Sequence, residues 1–184
     1  MENSIIKNLN SSEKAFFNIT KVKRVVNLEK IGQLNQHTSR WEMTGPAPKN
    51  NNSQDQLEQI KNGEVGAMLN VTGADATLNA QKLAVENSRL GIPMIFGYDV
   101  IHGYKTLSPI PFAEAASWDL EAIEQSARIA AIEASSAGIN WTFAPMVDVS
   151  RDARWGRVME GAGEDSYLGS KISVARVNGF QGDD

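Results

Sequence analysis

Cysteine is absent from the 184 residues, which excludes disulfide bonds and thiolate metal sites within this chain. Histidine occurs only as His37 and His102, so a metal site built from several histidines is excluded as well. No apolar run approaches the roughly 20 residues of a membrane-spanning helix. The formal net charge is −4 and the basic residues are scattered, which does not indicate a nucleic-acid surface. We predict no metal ion or other cofactor, and neither a membrane nor a nucleic acid as partner.

The start of the chain also lacks the apolar segment of a secretory signal. Charged residues are scattered through residues 1–25, so no signal peptide is predicted. Residues 1–27 are rich in Asn and Lys without periodicity, and we predict a poorly ordered leader. The rest has the composition of a globular protein, 41% apolar and 22% charged over the chain, and is long enough to bury a core.

Helical and strand patterns alternate from Ser53 onwards, which indicates a parallel α/β sheet. Periodicity predicts helices over residues 28–36, 53–63, 76–90, 120–137 and 167–179, the last with Ile172, Ala175 and Val177 on its apolar side. Strands are predicted over residues 65–69, 92–96 and 139–149. Loops are predicted over residues 37–52 and from the turn Gly97-Tyr98-Asp99 to Phe112.

Polar side chains follow two of these strands, where sites in parallel α/β folds are built. Asp99 follows the second strand; its carboxylate could bind sugar hydroxyls or act as a base, or it could close an Asx turn or cap a helix. His102 lies in the same loop and is either a ligand or proton carrier, or a hydrogen-bonded structural residue. Lys105 is a further possible cation, although a solvated lysine is the ordinary interpretation.

The third strand is followed by a loop in which both signs of charge alternate around Trp155 and three glycines. Arg157 presents a planar fork of donors suited to diols and carboxylates, and its alternative is an ion pair with Glu160 or Glu164. Both can hold, because a carboxylate that orients an arginine supports its binding role. The remaining charges in this loop are expected to hold it together: Arg151, Arg154, Asp148 and Asp152.

Three tryptophans could stack on a sugar face, although packing is the ordinary role of each: Trp41, Trp118 and Trp155. Glu164 and Asp165 precede a helix and are expected to cap it. Paired carboxylates are the basic requirement of glycoside hydrolysis, but spacing along the sequence does not give their separation in space. The pattern alone predicts part of a parallel α/β enzyme with an acidic and arginine-lined site.

Three segments carry a more specific signal: GIPMIFGYDVIHGYKT, PIPFAEAASWD and GINWTFAPMVDVSRDARWGRVMEGAGEDSYLGS. Together they resemble glycoside hydrolase family 3, in particular bacterial β-glucosidases of the periplasmic type, over about residues 28–182. The resemblance implies an α/β fold in which residues 28–184 form the N-terminal part, about three βα units, of a (β/α)8 TIM barrel. It also implies partners missing from this chain, namely the C-terminal half of the barrel and an α/β sandwich domain.

The resemblance implies retaining hydrolysis of terminal, non-reducing β-D-glucosyl residues in the complete enzyme, with a β-glucoside or oligosaccharide as substrate. Asp99 and Arg157 match the family's sugar-binding residues, and Glu160 and His102 would support them. The nucleophile and the acid/base match no residue here, so we assign no catalytic residue in this chain and expect it to be inactive alone. The family is periplasmic or secreted, which the absent signal peptide leaves open for this chain.

Two alternatives stay open. A non-catalytic, carbohydrate-binding remnant of such an enzyme would keep the sugar-binding residues and lack hydrolysis. A different barrel enzyme, such as an aldolase or isomerase, would require the long motif match to be accidental.

Overall fold

A computed structural model describes residues 36–38 and 53–182, in two compact units that divide after Gly97. The predicted leader over residues 1–27 and Trp41 lie outside the described residues. Most of the predicted helix over residues 28–36 and of the loop over residues 37–52 lies outside them too. In the described part, no helix combines the length and the apolar character needed to cross a membrane.

The first unit contains the parallel strands β1 (Gln36–Thr38) and β2 (Ala67–Leu69) and all but the last residue of β3 (Ile95–Tyr98), which pair in that order. β1 begins where a helix was predicted to end, so that boundary was wrong; its pairing with β2 is a long-range contact that periodicity does not reveal. The turn predicted at Gly97 and Tyr98 is wrong as well. The Gly97 carbonyl instead accepts the Asn70 N–H at 3.0 Å, so β3 remains paired further along than the apolar run.

Two helices complete the first unit, α1 (Ser53–Lys61) and α2 (Ala74–Asn87), and both were predicted. Gly63 lies just beyond α1 with a φ of 73°, a left-handed conformation that glycine adopts without steric cost. The strands and helices enclose one apolar cluster: Ile60, Val65, Met68, Ala84, Met94 and Phe96.

The second unit begins at Tyr98 and contains α3 (Pro111–Ala115), α4 (Leu120–Ser136), β4 (Trp141–Thr142), a 3-10 turn (Val158–Glu160) and α5 (Ser166–Gln181). Asp119 caps α4 as predicted, because its carboxylate accepts the Ala122 N–H at 3.0 Å. Asp165 caps α5 through the Leu168 N–H at 2.7 Å. The predicted apolar face of α4 is buried: Ile123, Ala127, Ala130 and Ala134.

Two predicted elements of the second unit have the wrong extent or type. The strand predicted over residues 139–149 is regular only at Trp141–Thr142, because the Thr142 hydroxyl takes the Ala144 N–H at 3.2 Å and Pro145 has no N–H to donate. The loop was predicted to continue to Phe112, but α3 already begins at Pro111. Proline suits a first helical position, where its missing N–H has no partner to lose.

Helix α5 buries a face that differs from the predicted one. Ile172 and Ala175 are buried as expected, but Val177 is exposed and Arg176 is buried in its place. Gly179 continues the same face. A Cβ added there would lie 2.2 Å from the Glu124 carbonyl oxygen, so only glycine lets α5 approach the α4 backbone this closely.

Candidate functional site

Asp99 directly follows β3, and its exposed side chain is adjacent in sequence to a fully buried one. Val100 has no exposed surface and packs in the apolar cluster of the second unit, against Ala130, Ala134 and Ile139. The buried Val100 side chain therefore anchors the backbone next to the Asp99 carboxylate. The loop over residues 99–110, which we call the site loop, then runs to the start of α3.

The site loop folds back on itself between His102 and Ser108. The Ser108 N–H donates to the His102 carbonyl at 2.9 Å, and His102 Nδ1 lies 3.2 Å from the Ser108 carbonyl oxygen. Gly103 has a φ of 105°, and a Cβ there would lie 2.0 Å from the Thr106 carbonyl oxygen, so this turn requires glycine. The imidazole is thus fixed by the loop to which it belongs.

Helix α4 holds the tip of the site loop through one carboxylate. Glu133 accepts the N–H groups of Lys105 and Thr106, each at 2.8 Å, and the Thr106 hydroxyl at 2.6 Å. The hydrogen bond from the Thr106 hydroxyl, followed by those from the two backbone N–H groups, lowers the pKa of Glu133 below its ordinary value of 4.5. Lys105 therefore helps to hold the loop through its backbone N–H, and this role does not involve its ammonium group.

Arg157 and Glu160 form a hydrogen-bonded ion pair at the 3-10 turn. Arg157 Nε lies 3.0 Å from both carboxylate oxygens of Glu160, and Nη2 lies 2.5 Å from Oε2. This hydrogen bonding is the main cause that raises the pKa of Arg157, and the nearby carboxylates of Asp99 and Asp148 raise it further. The Arg157 side chain remains 53% exposed, so a ligand can still reach the guanidinium.

A cavity of about 300 Å³ brings the predicted residues together on one surface. Asp99, His102 and Glu160 supply its polar side, and Arg157 is held beside it by Glu160. The rest of the lining is mainly apolar: Ile101, Gly103, Leu107, Ile110, Pro111 and Met159. A concave surface with a few convergent polar groups is typical of a small-molecule site.

Other residues singled out in the sequence lie outside this cavity. Arg154 pairs with Asp152 on the exposed surface, and that hydrogen bonding lowers the pKa of Asp152, as expected for charges that hold the loop together. Trp118 is 75% exposed and Trp155 is 37% exposed, and neither lines the cavity. Among residues 36–38 and 53–182, no cluster of three or more His, Asp or Glu side chains could hold a metal ion.

Three charged residues that the sequence did not single out support the site loop. Glu133 holds its tip, and Glu114 and Arg176 form a buried pair beneath it. The pattern gave little signal for them, because charged residues on amphipathic helices are usually solvated. The one available hint is spacing: Arg176 lies four residues after Ile172, at a position that continues the apolar face of α5.

Comparison with known proteins gives a consistent set of relatives. The model of the Glycosyl hydrolase family 3 N terminal domain matches residues 27–184. The periplasmic β-glucosidase of Salmonella typhimurium is 44% identical over 154 residues, which cover 84% of this chain and 19% of that protein. A β-xylosidase of Formosa agariphila is 38% identical over 109 residues, covering 54% of this chain and 15% of that protein.

Solved structures agree with the sequence relatives. The β-glucosidase of Listeria innocua in complex with isofagomine superposes with a TM-score of 0.77 at 36% identity, covering 95% of this chain and 23% of that chain. This chain therefore spans about a fifth of the length of these relatives. Their N-terminal domain is of the TIM-barrel type, and with the parallel strands seen here the predicted α/β class is confirmed.

Proposed function

This chain belongs to glycosyl hydrolase family 3, and from that premise we propose that the cavity beside Asp99 binds the terminal, non-reducing β-D-glucosyl residue of a glycoside. The full-length gene product would hydrolyse that glycoside with retention of configuration. The observation that carries the proposal is that Asp99 lines the same cavity as Glu160, which holds Arg157 in place.

The chemistry of the cavity suits a sugar. Sugar hydroxyls both donate and accept, and the Asp99 carboxylate is an acceptor that can take two neighbouring hydroxyl protons. The exposed part of the Arg157 guanidinium offers donors to the same or adjacent hydroxyls. Hydrogen bonds with one charged partner are roughly twice as strong as neutral ones, so two such residues can fix the orientation of a ring.

We assign the chain to binding and not to the bond-breaking step. Retaining hydrolysis needs a carboxylate nucleophile and a second carboxyl group as acid/base, about 5 Å apart. No residue of this chain matches either role, so hydrolysis belongs to the proposal for the full-length gene product. Periplasmic or secreted location is likewise proposed, since the Salmonella relative is named periplasmic; cell fractionation tests it.

Replacing Asp99 tests the sugar-binding role. In the full-length gene product, Asp99→Ala removes a charged hydrogen-bond acceptor, and we expect kcat/KM for p-nitrophenyl β-D-glucopyranoside to fall on the order of 10- to 100-fold. Asp75→Ala is the matched control, because Asp75 is an exposed aspartate at the start of α2 and lines no part of the cavity. It should leave kcat/KM unchanged.

The same assay separates the alternatives. Unchanged kcat/KM in Asp99→Ala would remove Asp99 from the sugar site. Calorimetric binding of D-glucose without hydrolysis by the unmodified protein would support a carbohydrate-binding protein. Faster hydrolysis of the matching xyloside than of the glucoside would assign the pentose, which is the sugar in the name of the Formosa relative.

A further inference from the structure

A buried ion pair lies beneath the site loop, and neither of its residues is among those proposed to contact the sugar. Glu114 on α3 and Arg176 on α5 are hydrogen-bonded through Oε2 and Nη1, and their side chains are only 6% and 4% exposed. Desolvation lowers the pKa of Arg176, and the charge and the hydrogen bond of Glu114 act against that change. Burying two charges carries a desolvation cost that their mutual attraction and hydrogen bonds must offset.

The pair connects three helices to the site loop. The other carboxylate oxygen of Glu114 accepts the Ser126 hydroxyl of α4 at 2.7 Å. The other terminal nitrogen of Arg176, Nη2, donates to the Ile101 carbonyl, 75 residues earlier in the chain. Ile101 lies between Asp99 and His102 and itself lines the cavity.

Stability alone does not account for the pair. Replacing a buried ion pair by apolar residues of similar volume is often neutral or stabilising. Arg176 Nε is moreover buried without a hydrogen-bond partner among the described residues, which adds a further cost. The contact that an apolar pair could not reproduce is the hydrogen bond to the Ile101 carbonyl.

We propose that Arg176, oriented by Glu114, is a positioning residue for the sugar site, because it fixes the backbone between Asp99 and His102. The buried Val100 side chain anchors this segment, and the Arg176 side chain holds its main chain through the Ile101 carbonyl. Glu133 holds the distant tip of the same loop at Lys105 and Thr106. Without Arg176 the tip stays attached and the segment that carries Asp99 becomes free to shift.

The decisive variant removes both charges at once, so that neither is left buried and unpaired. In the full-length gene product, Glu114→Leu/Arg176→Met should fold with a melting temperature close to that of the unmodified protein, because removing both charges also removes their desolvation cost. Peptides covering residues 99–104 should exchange their amide hydrogens about tenfold faster. The Kd for D-glucose should rise about tenfold, the value of one lost charge-assisted hydrogen bond.

Two further variants distinguish positioning from general loosening. Ile172→Ala is the matched control on α5, since Ile172 packs in an apolar cluster with Ala115 and Ile123 that contains no residue of the site loop. It should lower the melting temperature with the Kd unchanged. Arg176→Lys keeps a charge beside Glu114 but lacks the fork that also reaches Ile101, so it should fold and still bind D-glucose more weakly.

The affinity measurement rests on the proposed function, whereas the exchange measurement does not. If the unmodified protein binds no D-glucose, the proposed function fails, and the exchange rates of residues 99–104 still decide whether Arg176 holds the loop. A folded double variant with the exchange rates of the unmodified protein would overturn the positioning role. If the unmodified protein binds D-glucose and the double variant binds it with the same Kd, the positioning role is overturned as well.

Discussion

Arg157 illustrates how a single side chain can be both paired and available. Glu160 takes its Nε and one terminal nitrogen, while half of the side chain remains in contact with solvent. The ion pair and the binding role, which were alternatives in the sequence, are therefore compatible in the structure. The carboxylate limits the rotamers of a long, flexible side chain, so less entropy is lost when a ligand binds.

Replacing Glu160 should weaken binding by releasing Arg157. We expect Glu160→Gln to raise the Kd for D-glucose about three- to fivefold, because a solvent-exposed ion pair is screened by water and its loss has only a modest effect. Asp152→Asn is the matched control, since it breaks a second arginine–carboxylate pair of the same loop outside the cavity. Equal Kd values for the two variants, measured by calorimetry, would contradict a supporting role for Glu160.

The residues that the sequence identified and those it missed differ in how their partners are spaced. Asp99, His102, Arg157 and Glu160 stand in long contiguous motifs, and the structure places three of them on one cavity; their roles in sugar binding stay predictions. Glu114 and Arg176 lie 62 residues apart, and their pairing depends on helix packing. Spacing along α5 hints that Arg176 is buried, but a single sequence does not show that Glu114 is its partner, because a charged residue is ordinarily expected at the surface.

At the scale of elements, Glu133 makes the tip of the site loop sensitive to acid. Its pKa is lowered in the folded protein, so its contribution is fully present above its ordinary value of 4.5 and is lost as the pH falls through the lower folded value. We expect amide exchange over residues 103–108, corrected for intrinsic rates, to accelerate on acidification from about pH 6 to about pH 3.5.

Glu133→Gln serves as the control for this acid sensitivity. The amide cannot titrate, so the exchange rates of residues 103–108 should be raised at neutral pH and should change little on acidification. Residues 120–123 at the start of α4 report on the fold itself. Acceleration there in step with residues 103–108 would mean that acid unfolds the helix, which would contradict a local effect at Glu133.

Helices were predicted better than strands, for a local physical reason. Asp119 and Asp165 act as caps through hydrogen bonds to residues three positions later, and such signals are readable in sequence. Strand length depends on partners elsewhere in the chain. Gly97 stays paired because Asn70 reaches it, and the third predicted strand stops early because Thr142 satisfies a backbone N–H locally.

At the scale of the whole molecule, the family and the α/β class followed from the motifs and are confirmed. The division after Gly97 was not predicted, because no glycine- or proline-rich linker marks it. The predicted domain over residues 28–184 stays a prediction. A family can be recognised from contiguous motifs. The division into compact units depends on contacts between residues that are distant in sequence, and periodicity does not reveal those contacts.

The isolated 184-residue polypeptide should behave poorly in solution. Large apolar side chains are prominently exposed in the described part, with more than half of their surface accessible: Leu78, Leu107, Trp118, Ile132, Val147, Met159, Tyr167 and Val174. Exposed apolar surface of this kind favours association. We expect binding of the dye ANS and aggregation on heating, and a sharp, cooperative thermal transition from a monomer would contradict this expectation.

Every residue proposed for the sugar site lies within one uninterrupted stretch, from Asp99 to Arg176, and that stretch falls in the second compact unit. Recombination between relatives at the junction after Gly97 would therefore transfer the cavity wall, the loop and its buried anchor as a single cassette. Exchanges that cross over between Glu114 and Arg176 would instead pair an anchor with a foreign partner. The fold thus marks out where recombination between relatives can proceed without separating the proposed sugar site from its buried anchor.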